Sequence, residues 1–233
     1  MIPIRDVNPS RGTPVVTYGI IAVCVLAFLY ELMLGRQLHN FLLEYGLAPI
    51  RYSDPYISTR FTFSEQALPF ITSMFLHGGW LHLIGNMWVL HIFGDNVEDY
   101  LGHERYLLFY LLCGVSAAAV HLLTNLDSRL PTVGASGAIA GVMGAYCVLF
   151  PRARILTLLP IFFFFTFIEV PAYVFLGFWF LLQFFSGAVG WLSGSGTHGG
   201  IAWWAHIGGF GAGILILKWF GPSRTQRRFD GRE

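Results

Sequence analysis

Long charge-free apolar stretches alternate with short charged segments along this chain, and their lengths carry the first inference. They run from Gly12 to Tyr30, Gln66 to Gly94, Tyr106 to Leu126, Leu130 to Pro151 and Val170 to Leu217. Each of the first four reaches about the ~20 residues that a membrane-crossing helix needs. The last is long enough for two helices and divides at Ser193-Gly194-Ser195-Gly196-Thr197-His198-Gly199-Gly200, a composition that does not sustain a helix. The pattern predicts an all-α polytopic membrane protein with six spans in a single domain over residues 14–220. Residues 1–13 read as a short amino-terminal segment and 221–233 as a basic tail.

The segment between the first two spans, about Gly35 to Leu68, mixes charge with Tyr45, Tyr52, Tyr56, Phe61 and Phe63. It is expected as a long external loop lying on the bilayer surface with its aromatic rings at headgroup level, or as a plain connector. Pro151-Arg152-Ala153-Arg154 ends the fourth span. Ile155 to Ile168, with Pro160 in its middle, is too short to cross and is expected to be interfacial or re-entrant. Glu169 followed by Pro171 reads as a helix start, an acid near the positive end of the dipole, or else as a proton carrier.

Composition agrees with this picture. Of 233 residues 55% are hydrophobic and 12% charged, and the mean hydropathy is +0.60, too apolar for an ordinary soluble domain. The start at Met1-Ile2-Pro3-Ile4-Arg5 has no short apolar run followed by a small-residue cleavage site, so no cleaved signal peptide is expected. With a cytoplasmic amino terminus, six spans place Arg5, Arg11, Arg105, Arg152, Arg154, Lys218, Arg224, Arg227, Arg228 and Arg232 inside, leaving Arg36, Arg51, Arg60 and Arg129 outside. The positive-inside rule favours that arrangement, so both termini are expected in the cytoplasm. The compact plan suggests a multi-pass protein of a bacterial-type plasma membrane. A net charge of +1 does not point to a nucleic-acid partner. Cys24, Cys113 and Cys147 fall inside predicted helices without metal-ligand spacing and read as small buried hydrophobes.

Chemistry concentrates in three places. If the fourth helix begins near Ser136 and ends at Phe150, it is roughly 22 Å long, short of the ~30 Å hydrocarbon core. Its amino end then lies below the outer surface. Pro131 and Gly134 permit a non-helical lead-in, tolerable at membrane depth only beside a protein-enclosed, watered cavity. Ser136 there is a plain helix cap, or a nucleophile whose own N–H helps to hold an oxyanion. Gly134, Gly137, Gly141 and Gly144 make one small-residue stripe, and Ala205, Gly209 and Gly213 make another on the sixth span. If the stripes face each other, Ser136 and His206 converge. In the second span His82 and Asn86 lie one turn apart and share a face, as a structural network or as further oxyanion donors. His39, His77, His91, His103, His121 and His198 show no comparable pairing.

With these residues in view, the chain resembles the rhomboid intramembrane serine proteases. The matching motifs are His82-Leu83-Ile84-Gly85-Asn86, Gly134-Ala135-Ser136-Gly137 and Ala205-His206-Ile207-Gly208-Gly209, in order and on the expected spans. The resemblance implies a six-helix rhomboid-like bundle over about Pro14 to Phe220. It implies Ser136 as nucleophile and His206 as general base in a dyad, and His82, Asn86 and the Ser136 N–H as the oxyanion hole. It further implies an acyl-enzyme, transmembrane protein substrates cut near the outer end of a helix, access gated by the fifth span, and no cofactor or metal. The chain departs from the family pattern in lacking a Trp-Arg pair in the first external loop. It also carries Ala140 where many members have an aromatic residue against the histidine, a role left for Trp203 or Trp204. Two other readings use the same fold: a non-catalytic rhomboid-like chaperone or adaptor binding transmembrane helices, and a haem or metal protein drawing on the eight histidines. Partners are expected to be the lipid bilayer and transmembrane proteins, with the oligomeric state open.

Overall fold

A computed structural model describes residues 1–161, 164–192 and 202–222 of the chain. It is mostly helical and holds one small sheet. Strand β1 (Ile2–Asp6) precedes helix α1 (Val15–Met33), which begins directly after Pro14. The free N–H groups at the start of α1 find a partner outside the helix: the Glu98 carboxylate accepts from Val16 and Thr17, both at 2.8 Å. A buried acid at a helix amino terminus is well placed for both the unpaired donors and the dipole. At the other end of α1, buried Glu31 accepts the His77 N–H at 3.1 Å.

Between α1 and the next long helix the chain folds into a 3₁₀ turn (Gly35–Gln37) and short helices. These are α2 (Leu38–Tyr45), α3 (Ile50–Ser53), α4 (Pro55–Ser58), α5 (Phe63–Ala67) and α6 (Pro69–Thr72). Asp54 caps α4, and Thr62 with Glu65 forms a reciprocal capping box on α5. Buried Arg51 organises the segment, donating to the carbonyls of Leu43, Glu44 and Glu65 at 2.9–3.0 Å and lying 3.9 Å over the Phe61 ring. The segment is tied to the centre of the molecule by paired backbone bonds between Leu47 and Thr132.

Helices α7 (Trp80–Leu101) and α8 (His103–Thr124) meet at Gly102, whose φ of 80° favours glycine. Helix α9 (Ser136–Leu149) follows, buried from Gly137 to Tyr146. Strands β2 (Arg154–Ile161) and β3 (Phe164–Pro171) lead into α10 (Ala172–Leu192), and α11 (Trp203–Leu217) packs along α9. Helices α1, α8 and residues Ala172–Gly190 of α10 are long and apolar enough to cross a membrane; α9 and α11 are apolar but shorter.

Four expectations are changed or made more definite here. The all-α reading gives way to a mostly helical chain with an antiparallel sheet in the order β1-β2-β3. The interfacial or re-entrant segment, Ile155 to Ile168, is the β2–β3 hairpin, and β1 from the chain's start extends it. Its branched and aromatic residues suit strands, and pairing on both sides of β2 satisfies a backbone that a proline-broken helix would leave open. Glu169 does not start a helix. It stands in β3 opposite Leu156 and accepts from Arg154 at 3.1 Å, and α10 begins after Pro171. The second charge-free stretch also shifts. Gln66 to Gly79 forms short helices and a turn, whereas α7 runs past Gly94 through Asp95, Glu98 and Asp99. The Ser193–Gly200 division and the tail beyond Pro222 lie outside the described residues.

Candidate active site

The site begins with the lead-in to α9. The Gly134 N–H donates to the Ser73 carbonyl at 2.8 Å, and its φ of 131° lies where residues with a side chain are strained. A Cβ at this position would also stand 2.7 Å from two atoms of the His82 ring. Glycine therefore lets the backbone lie against His82 while turning Ser136 into the first residue of α9. The helix is capped by Ala135 without a side-chain bond, so Ser136 is not spent on capping. Its Oγ lies 2.8 Å from His206 Nε2.

That short distance follows from the small residues of α11, which lie on the α9 backbone, while Gly137 and Gly141 also turn toward Ala117 and Cys113 of α8. A Cβ on Gly209 would stand 2.0 Å from the Gly137 carbonyl oxygen, and one on Gly213 2.0 Å from that of Gly141. A Cβ on Gly144 would come within 2.3 Å of the Phe210 oxygen. Backbones this close require glycine and set α11 against α9 at the depth that pairs His206 with Ser136.

Ser136, His206, His82 and Asn86 line one cavity of about 850 Å³. His82 Nδ1 accepts a long bond from the Gly78 N–H at 3.4 Å, which leaves Nε2 as the protonated nitrogen on the Gly134 side. Asn86 is 8% exposed and its Nδ2 has no hydrogen-bond partner. A buried amide donor left open is costly, and such groups mark places where a ligand completes the bonding. The backbone N–H groups at the start of α9 have no partner within the helix and add partial positive charge on the same side. The cavity thus offers a hydroxyl beside an imidazole, with donors converging near them.

Several neighbours of the site carried no signal that the motifs could reveal. His206 Nδ1 lies 2.7 Å from Gln183 Oε1, on α10, and the Trp179 ring stands 5.9 Å from the imidazole at 35°. Trp203 meets the ring edge-on at 6.4 Å, whereas Trp204 lies against Phe184 instead. Along the chain Gln183 is a lone amide in an apolar run. Buried His121 also lines the cavity, and its Nε2 lies 2.7 Å from Thr132 Oγ1, so this histidine anchors the lead-in to α9. His77 stacks edge-on against His82 at 5.2 Å. Among the described residues no group of three or more His, Cys, Asp or Glu side chains is placed to hold a metal ion. Cys24 and Cys113 are fully buried, and Cys147 is half-buried.

Known proteins share these features. A sequence profile of the Rhomboid domain matches residues 64–223, more than half of the chain. The presenilin-associated rhomboid-like protein A, mitochondrial, of Danio rerio is 33% identical over 114 residues, covering 48% of this chain and 30% of that protein. RHOMBOID-like protein 5 of Arabidopsis thaliana is 39% identical over 75 residues, and RHOMBOID-like protein 6, mitochondrial, of the same plant is 43% identical over 75. Each of these two matches covers 32% of this chain and 24% of the relative. The chain therefore spans less than a third of the length of these relatives. Two of the names place their bearers in mitochondria, at odds with the bacterial-type plasma membrane expected above. The apolar helices and the profile match together make the protein an integral membrane protein, and the chain belongs to the rhomboid family.

Proposed function

We propose that the chain is a serine-type intramembrane endopeptidase acting on transmembrane protein substrates. The observation that carries this reading is the 2.8 Å approach of Ser136 Oγ to His206 Nε2 in a cavity that also holds the open Asn86 donor. As Ser136 Oγ attacks a substrate carbonyl carbon, its proton passes to His206 Nε2. The carbonyl oxygen becomes an oxyanion that accepts from the Ser136 N–H, His82 Nε2–H and Asn86 Nδ2–H. Collapse of the tetrahedral species breaks the C–N bond, and the His206 proton leaves with the amine. Water, losing a proton to His206, then attacks the acyl carbon, and collapse of the second tetrahedral species breaks the ester C–O bond as His206 returns the proton to Ser136 Oγ, freeing the second product. Helices α1, α7, α8, α9, α10 and α11 are the six proposed spans, with both termini cytoplasmic and the Ser136 end of α9 toward the outer leaflet.

The test uses purified protein in liposomes with a membrane-anchored model substrate. Ser136→Ala is expected to lower cleavage by about 10⁴-fold or more, as loss of a serine nucleophile does elsewhere. A variant that cuts as fast as the parent overturns the assignment. Failure of the parent to cut, or to react with a fluorophosphonate while still binding helices, favours the chaperone or adaptor reading.

A further inference from the structure

Helix α10 brings to His206 a group that a bare dyad does not include. We propose that Gln183 is a positioning residue, which holds His206 in the one tautomer able to take the Ser136 proton; this rests on the serine-protease reading above. To act as a base toward Ser136, His206 needs its lone pair on Nε2, the nitrogen 2.8 Å from Oγ. The ring proton must then sit on Nδ1 and needs an acceptor. Gln183 Oε1 lies 2.7 Å away, and its side chain is only 8% exposed, so water competes poorly for the bond. Trp179 stands one turn earlier on the same face of α10, with its ring against the same imidazole. One helix face therefore fixes both the tilt of the ring and the nitrogen that carries its proton.

The chemical type of this group matters as much as its place. A carboxylate facing Nδ1 would stabilise the imidazolium formed when the Ser136 proton arrives. A carboxamide accepts the same hydrogen bond without a charge, so it selects the tautomer and leaves the cation unneutralised. The opposite face of α10 is apolar and open, with Leu181 and Phe185 about half exposed or more. Gln183 is thus placed on the inward side of an otherwise apolar helix.

Three variants of the full-length protein in detergent or liposomes test this. Gln183→Met keeps the side-chain length and removes the acceptor; kcat is expected to fall about 10-fold or more with KM little changed, the loss expected for one tautomer-holding hydrogen bond. Nitrogen-15 NMR of labelled His206 is expected to show Nδ1 protonated in the parent and a tautomer mixture in this variant. Gln183→Glu is expected to recover most of the rate and to move the acid limb of the kcat/KM profile to higher pH. Gln183→Asn withdraws the amide by one methylene and is expected to resemble Met. Parent-like kcat and an unchanged ring spectrum in Gln183→Met overturn the proposal, as does a Glu variant whose acid limb stays in place. A tautomer change in a protein that never shows Ser136-dependent cleavage leaves the positioning bond standing and sinks the protease reading instead.

Discussion

Asn86 carries a donor that is buried and unpartnered in the resting protein, which costs stability unless something is gained when the site is filled. Replacing it with alanine therefore separates two roles by sign. Asn86→Ala is expected to lower kcat about 10²-fold with KM nearly unchanged, the effect of removing one oxyanion donor. It is also expected to leave the unfolding temperature the same or higher, since it deletes an unpaired polar group. Steady-state cleavage and thermal unfolding of the same preparation check both, and a drop in unfolding temperature with intact kcat makes Asn86 a structural residue. At this scale the meeting of Ser136 with His206 is legible because each belongs to a compact motif with a physical reason for its neighbours. Gly134 must be small to pass His82, and Gly209 must be small for α11 to meet the Gly137 carbonyl. Gln183 and Trp179 were not legible, because nothing in an apolar helix tells which of its faces turns toward a histidine on another helix. Of the two rings expected beside His206, Trp203 meets it only edge-on and Trp204 does not, while Trp179 lies over it.

The sheet is where element reading was weakest. A short apolar run has no period that separates a strand from a buried helix segment, and β1 acquires its identity only by pairing with residues some 150 positions away. Likewise α7 extends through three acids, two of which meet groups from elsewhere: Glu98 holds the start of α1, and Asp99 accepts from the Arg11 N–H at 3.3 Å; Asn96, beside Asp95, bonds Asp6 and Asn8. These partners are invisible along the chain. Asp6 joins three elements, accepting from Tyr146 on α9 at 2.6 Å and from Asn96 on α7 at 3.1 Å. Burial pushes its carboxyl up to about 6, with the Tyr146 bond opposing and the Asp95 charge adding to the rise. A raised acid favours the folded state fully below its unfolded value of 3.8, and that contribution is lost as pH rises through about 6. The pH dependence of thermal unfolding is expected to flatten between about 4 and 6 in Asp6→Asn relative to the parent. An identical slope in the two proteins removes Asp6 as its source.

Across the whole molecule the outward surfaces of α1 and α10 are apolar, with Leu26 65%, Met33 83%, Phe185 61% and Val189 65% exposed. Such faces need lipid around them. The charged positions lie toward the ends: Arg60 in the segment after α1, and Arg152 in the turn between α9 and β2. If these lie on opposite sides of the bilayer, single cysteines at the two positions, in an otherwise cysteine-free background, will react with an impermeant maleimide from opposite sides. Labelling of both from one side overturns the proposed topology. The hydropathy pattern conveyed that the chain is a membrane protein because lipid acts on whole faces, and composition records whole faces. It could not convey how α9 and α11 fit, because contacts near 2 Å from an imagined Cβ depend on backbone placement.

Strand β1 is made before α1, yet its partner β2 is made only after α1, α7, α8 and α9. Until then the edge of Ile2–Asp6 has no strand to join, and Asp6 waits for Tyr146. Completion of the sheet thus reports that the serine-bearing helix has already been delivered. A nascent chain halted before Ile161 would display an open strand edge to the chaperones and proteases of quality control.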